Sequence, residues 1–325
     1  MTSLRNEFTV EVAAITKVAE AINSFRLIPA PGSKTAQLPR FSAGAHVTVT
    51  MATAAGRKIR NSYSLMGDLQ DRSSYEISVL RTPNSRGGSI FMHDSVQVGS
   101  RLELAGPVNL FALDLRAKRV VLMAGGIGVT PIMAMAEQLL AAMVPFELHY
   151  AFRNVKAAAF VEQLARSYPA QFRGYDDSAG QSMPIRDILA HQRLGTHLYV
   201  CGPGGMIDAA LAQGAALGWP KQNLHSERFL APAGGEPFEV ILQRSNRRIR
   251  IGESESILEA LEAAGLNPPY LCRGGACGQC ETRVLAHDGE INHCDLVLSP
   301  AERARGDRMM ICVSRLVGKS LTLEC

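Results

Sequence analysis

The chain has little excess charge, no long apolar run and no even framework of cysteines, and each absence removes a class of protein. Lys and Arg number 34 against 30 Asp and Glu, a net charge of +4 over 325 residues. The one short basic cluster, Arg244, Arg247, Arg248 and Arg250, reads as a solvated strand face, so no nucleic-acid partner is expected. No stretch approaches the roughly 20 apolar residues of a membrane span. Met1 to Val10 lacks the apolar core of a secretory leader. Seven cysteines are an odd number without regular spacing, which argues against a secreted disulfide scaffold. There is no internal repeat and no low-complexity tract. The expected setting is a reducing cytoplasm. A hydrophobic fraction of 46% and a charged fraction of 20% fit a soluble globular chain, long enough for two or three domains.

What is present centres on Cys272-Arg273-Gly274-Gly275-Ala276-Cys277-Gly278-Gln279-Cys280, with Cys312 further along. Thiols at C-x4-C-x2-C spacing plus a distant fourth match the plant-type ligand pattern of a [2Fe-2S] cluster. Two irons require four soft thiolate donors. The glycines let backbone N–H groups turn toward the sulfurs. A structural zinc site or a disulfide pair is the competing reading. Zinc sites usually carry two separated C-x2-C knuckles, and only one is present. Cys201, Cys294 and Cys325 are left over.

The first hundred residues alternate short apolar runs with Gly and Pro turns: Phe8–Ile15, Ser24–Ile28, His46–Met51, Tyr75–Leu80 and Arg101–Leu104. This spacing predicts a small antiparallel β-barrel. Two spots carry chemistry. Arg60, Asn61, Tyr63 and Ser64 offer a cation, an aromatic hydroxyl and a serine; Arg81 and Arg86-Gly87-Gly88-Ser89 offer cations and a glycine turn that admits a phosphate. A polar strand face is the competing reading of both.

From residue 119 the pattern changes. Arg119–Ala124 is a continuous apolar strand of the buried parallel kind, running into Gly125-Gly126-Ile127-Gly128-Val129-Thr130-Pro131. Thr130 is expected to cap the helix that follows and Pro131 to sit in its first turn. The loop lacks the third glycine of G-x-G-x-x-G, yet a strand, a glycine loop and a helix N-terminus suit a pyrophosphate. Phe146–Phe152 and His197–Val200 read as further strands, with helices over Ala157–Tyr168 and Met206–Leu217 and a last strand over Leu224–Phe229. Cys201-Gly202-Pro203 closes one of these strands. The expectation is a doubly wound α/β sheet with both glycine loops at strand carboxyl ends.

Residues 230–237 are Gly- and Pro-rich and read as a linker. Phe238–Gln243 and Arg248–Ile251 predict a hairpin. Ser256 and Glu259 predict a capping box on a helix that buries Ile257, Leu258, Leu261 and Ala264. The cysteine loop comes next, so this part reads as a β-grasp ferredoxin. The expected domains are 1–112 (barrel), 113–229 (α/β) and 238–325 (ferredoxin).

In module order and in these motifs, the chain resembles the phthalate dioxygenase reductase family over nearly its whole length. The resemblance implies FMN in the barrel, NADH on the α/β domain and a plant-type cluster on Cys272, Cys277, Cys280 and Cys312. It assigns flavin contacts to Tyr63, Ser64, Val79, Leu80, Arg81, Gly87, Gly88, Ser89, Thr130 and Phe229. Arg60 stands one position before the family's arginine, whose place is taken by Asn61. Gly125, Gly126 and Gly128 match the nucleotide loop, and Cys201, Gly202 and Pro203 the nicotinamide pocket. Thr130 and Cys201 would lie near the hydride path, with Cys201 a small buried residue rather than a nucleophile. Arg153, after the second α/β strand, could meet a 2′-phosphate, so NADPH competes with NADH.

Electron counting gives the expected mechanism. A nicotinamide yields an electron pair as hydride, a [2Fe-2S] cluster accepts one electron, and a flavin converts between them. Plant-type clusters lie near about −400 mV and Rieske centres at roughly −150 mV or above, so onward transfer to a Rieske oxygenase is downhill. No Cys-x-His Rieske pair occurs in the chain, so that oxygenase is expected as a separate protein. The reductase is expected to be a monomer. A flavin reductase feeding another acceptor and a non-catalytic electron carrier are the rivals.

Overall fold

The computed structural model describes residues 7–33, 36–52, 56, 58–83, 85–230 and 234–325. Contacts divide the chain into two compact units, one ending at Arg228 and the other running from Phe229 to Cys325. Residues 231–233 of the expected linker lie outside the described residues.

Six strands open the first unit: β1 (Glu7–Ala19), β2 (Ile22–Pro29), β3 (Ala45–Ala52), β4 (Lys58–Ser64), β5 (Tyr75–Leu80) and β6 (Arg101–Asn109). They pair antiparallel in the order β4-β3-β6-β1-β2-β5. Alternation decides the inside. Val10 and Val12, Phe25 and Leu27, Val47 and Val49, and Ile77 and Val79 are buried, each pair two residues apart. Among the described residues the edge strands β4 and β5 do not pair, but just beyond β4 the Met66 N–H donates to the Glu76 carbonyl of β5 at 2.9 Å. The sheet is therefore a curled half-barrel. Helix α1 (Gly88–Asp94) follows β5.

The second sheet is parallel, with β7 (Arg119–Gly125), β8 (Phe146–Phe152), β9 (Phe172–Asp176), β10 (Thr196–Cys201) and β11 (Leu224–Glu227) in the order β11-β10-β7-β8-β9. Helices α2 (Val129–Ala141), α3 (Val161–Ser167), α4 (Ile185–Ala190) and α5 (Gly204–Ala216) connect them. β7 is apolar from Val120 to Gly125 because both faces of that run are covered. Val120, Leu122 and Ala124 join the apolar cluster of α2, whereas Val121 and Met123 join that of Leu189, Ile207 and Ala210. Strand order reverses between β7 and β10, which opens a crevice at their carboxyl ends. The half-barrel is fixed to this sheet. Ala43 and Phe111 share a core with Leu122, Met135 and Tyr199, the Ala43 N–H donates to Gln138 Oε1 at 3.2 Å, and the Asp114 N–H donates to Tyr199 Oη at 2.7 Å.

The second unit contains β12 (Phe238–Leu242), β13 (Arg247–Ile251), α6 (Ile257–Ala263), β14 (Glu281–His287), β15 (Glu290–Asn292), α7 (Pro300–Arg305), β16 (Arg308–Met310), β17 (Arg315–Val317) and β18 (Ser320–Leu323). Its main sheet runs β13-β12-β18-β14-β16, with β12 and β18 parallel. The predicted capping box is present: the Glu259 N–H donates to Ser256 Oγ at 3.1 Å and the Ser256 N–H to Glu259 Oε2 at 2.9 Å. The basic cluster lies on the exposed edge strand β13 and the turn before it.

Three local expectations are corrected. Thr130 does not cap α2, which begins at Val129; instead its hydroxyl bonds back to the Ile127 carbonyl at 3.0 Å. The helix expected over 157–168 starts only at Val161, after a single 3-10 turn, Val155–Ala157. Strand β9 went unread because Phe-Arg-Gly-Tyr-Asp is short, is interrupted by the strand-disfavouring Gly174 and Asp176, and sits at an exposed sheet edge.

Candidate functional site

The loop between α6 and β14 carries the first three cysteines, and the segment between β16 and β17 carries the fourth. Gly275 and Gly278 take φ of 70° and 76°, which lets the loop fold on itself. Cys280 and Cys312 stand with sulfurs 3.1 Å apart, too far for a disulfide. Cys272 hydrogen-bonds with both Cys277 and Cys312, so the four sulfurs form one connected group. The backbone N–H groups of Gly274 and Ala276 point at Cys272 Sγ, each at 3.4 Å. Hydrogen bonds from Cys277 and Cys312 hold the Cys272 thiol well below its ordinary range. Cys277 is pushed up first by Cys272 and then by burial, and Cys312 by Cys272, then Cys280, then burial. Four sulfurs in contact cannot all ionise without a cation among them. The donor set therefore fits iron, whose charge would ionise every thiol.

The first unit builds its crevice from two glycine loops. β7 ends in Gly125 and turns through Gly126–Gly128 into α2, while β10 ends in Cys201 and turns through Gly202 and Pro203 into α5. The loops touch through their backbones. A Cβ on Gly128 would lie 2.3 Å from the Cys201 carbonyl oxygen, and one on Gly202 would lie 2.9 Å from the Gly125 backbone. Gly126, by contrast, has φ of 54° and nothing within 4 Å of where a Cβ would stand, so the crevice is open there. Two loops, two helix starts and open space fit a pyrophosphate. Cys201 is fully buried, and burial and the adjacent Glu227 carboxylate push its thiol up, which suits a packing residue.

Strand β5 packs beside the Gly126–Gly128 turn, so the half-barrel reaches the same crevice. Asn61 and Tyr63 share one side of β4, and alternation puts Arg60 and Ser64 on the other. Asn61 Nδ2 donates to Tyr63 Oη at 3.4 Å. Burial pushes the Tyr63 phenol up to about 12, so it stays a neutral hydroxyl. Gly88 abuts Asn61, since a Cβ there would meet Asn61 Nδ2 at 2.3 Å. That contact joins the start of α1 to the Asn61–Tyr63 face. Gly87 takes φ of 109°. Ser89 is buried and bonds Thr82 through both its hydroxyl, at 3.1 Å, and the Thr82 N–H, at 3.2 Å. The Arg81 guanidinium grips Asp94 at 2.9 and 3.3 Å. Val79 is buried in the strand and Leu80 ends it. Phe229 is half exposed and belongs to the second unit.

Sequence reasoning missed Glu227. It ends β11 in register with Cys201, its Oε2 is buried without a partner among the described residues, and burial raises its carboxyl to about 8. It also missed Asp94, and Glu262 as partner of Arg273. The arginine directly after the first cluster cysteine was the available signal for the last.

These features define a flavin- and iron–sulfur-dependent oxidoreductase supplied by a pyridine nucleotide. A family profile for the N-terminal domain of dimethylamine monooxygenase subunit DmmA-like proteins matches residues 97–224, and one for 2Fe-2S cluster binding domains matches 240–317. The carnitine monooxygenase reductase subunit of Acinetobacter pittii is 40% identical over 88% of this chain and 93% of its own. The vanillate O-demethylase oxidoreductase of Pseudomonas sp. strain HR199 is 38% identical over 97% and 99%. The solved structure of phthalate dioxygenase reductase, described as modular for electron transfer from pyridine nucleotides to [2Fe-2S], superposes with a TM-score of 0.87 at 35% identity, covering 98% of each chain. The chain belongs to the phthalate dioxygenase reductase family, the reductase subunits of multicomponent oxygenases. No helix among the described residues is long and apolar enough to cross a membrane.

Proposed function

We propose that this chain takes electrons from NADH through FMN to a [2Fe-2S] cluster and delivers them singly to a separate Rieske-type oxygenase in the cytoplasm, acting as a monomer. The observation that carries the reading is the group of four contacting sulfurs in a chain that also builds a two-loop nucleotide crevice against a half-barrel. Cys272, Cys277, Cys280 and Cys312 would hold the cluster, with Gly274 and Ala276 donating to the first sulfur. Gly125, Gly126 and Gly128 would admit the pyrophosphate, with Cys201, Gly202 and Pro203 closing the nicotinamide side. Tyr63, Ser64, Val79, Leu80 and Thr130 would surround the flavin ring, and Gly87, Gly88 and Ser89 its phosphate. Asn61 stands where the family places arginine and holds Tyr63 in place. Arg81, paired with Asp94, would extend the strand that lines the flavin ring. When bound, the flavin supplies the conversion of a hydride into two single-electron deliveries.

A haem-containing acceptor is the second reading. It is favoured by the heme-dependent oxidative N-demethylase beta subunit of Ectopseudomonas mendocina, 40% identical over 97% of this chain and 98% of its own. Anaerobic mixing of the NADH-reduced protein with a purified Rieske oxygenase, and separately with a haem N-demethylase subunit, decides between them. Reduction of the Rieske centre alone supports the first reading, and reduction of the haem alone the second.

A further inference from the structure

Arg273 is the residue of the cysteine loop that local rules least expect. It follows Cys272 directly, and its φ of 55° lies in the left-handed region that side chains disfavour. A glycine would take this conformation freely. The Arg273 guanidinium is nevertheless kept here and buried. It lies 3.9 Å from the centroid of the Tyr270 ring and bonds Glu262 Oε1 at 2.5 Å. The two charged side chains are only 8% and 9% exposed.

Glu262 is as poorly placed by local rules. It stands in the last turn of α6, where the helix dipole favours cations. A buried ion pair is also weak support for stability, because apolar groups of similar volume often serve as well. A strained arginine, a carboxylate at the wrong helix end and two desolvated charges thus meet one residue from a sulfur that accepts two N–H bonds. Such features persist where the surrounding fold over-determines them for function.

We infer that the Arg273–Glu262 pair sets the reduction potential of the cluster. Reduction adds one negative charge beside Cys272. The guanidinium favours that charge and the Glu262 carboxylate opposes it, and in a low-dielectric site neither effect is screened away. Holding both fixes the driving force for electron transfer at an intermediate value. This rests on the reading of Cys272 as an iron ligand.

The test is a potentiometric titration of the iron-loaded full chain, followed by the electron paramagnetic resonance of the reduced cluster. Glu262→Gln keeps the shape and leaves the cation uncompensated. It is expected to favour reduction at least tenfold, about 59 mV upward for one electron. Glu262→Asp and Arg273→Lys keep both charges and should stay at the parent value. The double variant Arg273→Gln/Glu262→Gln should return toward the parent, whereas a purely structural role would leave it at least as displaced as the single. A parent-like potential in Glu262→Gln, or a double variant no nearer the parent, overturns the inference. If the double variant loads no iron, the Gln and Asp variants at 262 decide: Gln shifted with Asp unshifted supports it, and any other pattern overturns it. A parent protein that binds zinc and gives no reduced-cluster resonance overturns the ligand reading itself. Failure to reduce a Rieske protein would overturn only the proposed partner.

Discussion

The backbone of Gly128 lies so close to Cys201 that a methyl group on it would stand 2.3 Å from the Cys201 carbonyl oxygen and 2.8 Å from the Gly202 nitrogen. The obstacle is backbone and cannot swing away. Gly128→Ala must therefore push the two glycine loops apart. A displacement of about 1 Å in a positioning element costs about 100-fold in rate. We expect a loss of that order in NADH-driven flavin bleaching measured by stopped flow, with the visible bands of the cluster unchanged. A parent-like bleaching rate would mean that the loops do not form the nucleotide site.

Ser256 caps α6 from a buried position, and Glu259 answers it. Removing the hydroxyl deprives the Glu259 N–H of its acceptor. Ser256→Ala is expected to destabilise the ferredoxin unit by about 1–2 kcal/mol. Urea denaturation followed by loss of cluster absorbance measures this, and an unchanged midpoint contradicts it.

Glu227 supplies a pH dependence of definite sign. Burial raises its carboxyl to about 8 from an ordinary 4.5. Below about pH 4.5 the carboxyl is protonated folded and unfolded, so burial adds no ionisation penalty. Between there and about pH 8 the unfolded chain ionises while the folded one keeps its proton, and stability falls as pH rises. Above that the penalty is constant. Glu227→Gln should therefore match the parent near pH 4 and exceed its stability at pH 8 by on the order of 4 kcal/mol. Parallel curves for the two proteins across this range would contradict the placement. Cys201, buried beside Glu227, should resist alkylation in the folded protein.

Much of this was legible because it rests on local chemistry. The grouping of Cys272, Cys277 and Cys280 follows from their lying in one short loop, and the apolar run of β7 from burial on both faces. The Ser256–Glu259 box depends on residues three apart. Other features were hidden for equally physical reasons. β9 owes its existence to pairing with β8, because five residues broken by Gly174 and Asp176 show too short a pattern. The helix at Pro300–Arg305 has a capping box at Ser299 and Glu302, but the weak apolar content of its six residues concealed it. Thr130 was misread as a cap because Gly128 already occupies that position. Asn61 and Gly88 are 27 positions apart, and nothing in either neighbourhood shows that one is small because the other is near.

The central claim is that one polypeptide takes a hydride onto a flavin and passes its electrons singly to a cluster held by four gathered thiols. Anaerobic titration with NADH, followed in the visible spectrum, tests it most directly. The account predicts loss of the flavin bands together with those of the cluster, and a Cys277→Ser variant that loses only the cluster signal while its flavin still bleaches. Flavin bleaching with the cluster bands fully retained, or a Cys277→Ser spectrum identical to the parent's, would contradict it.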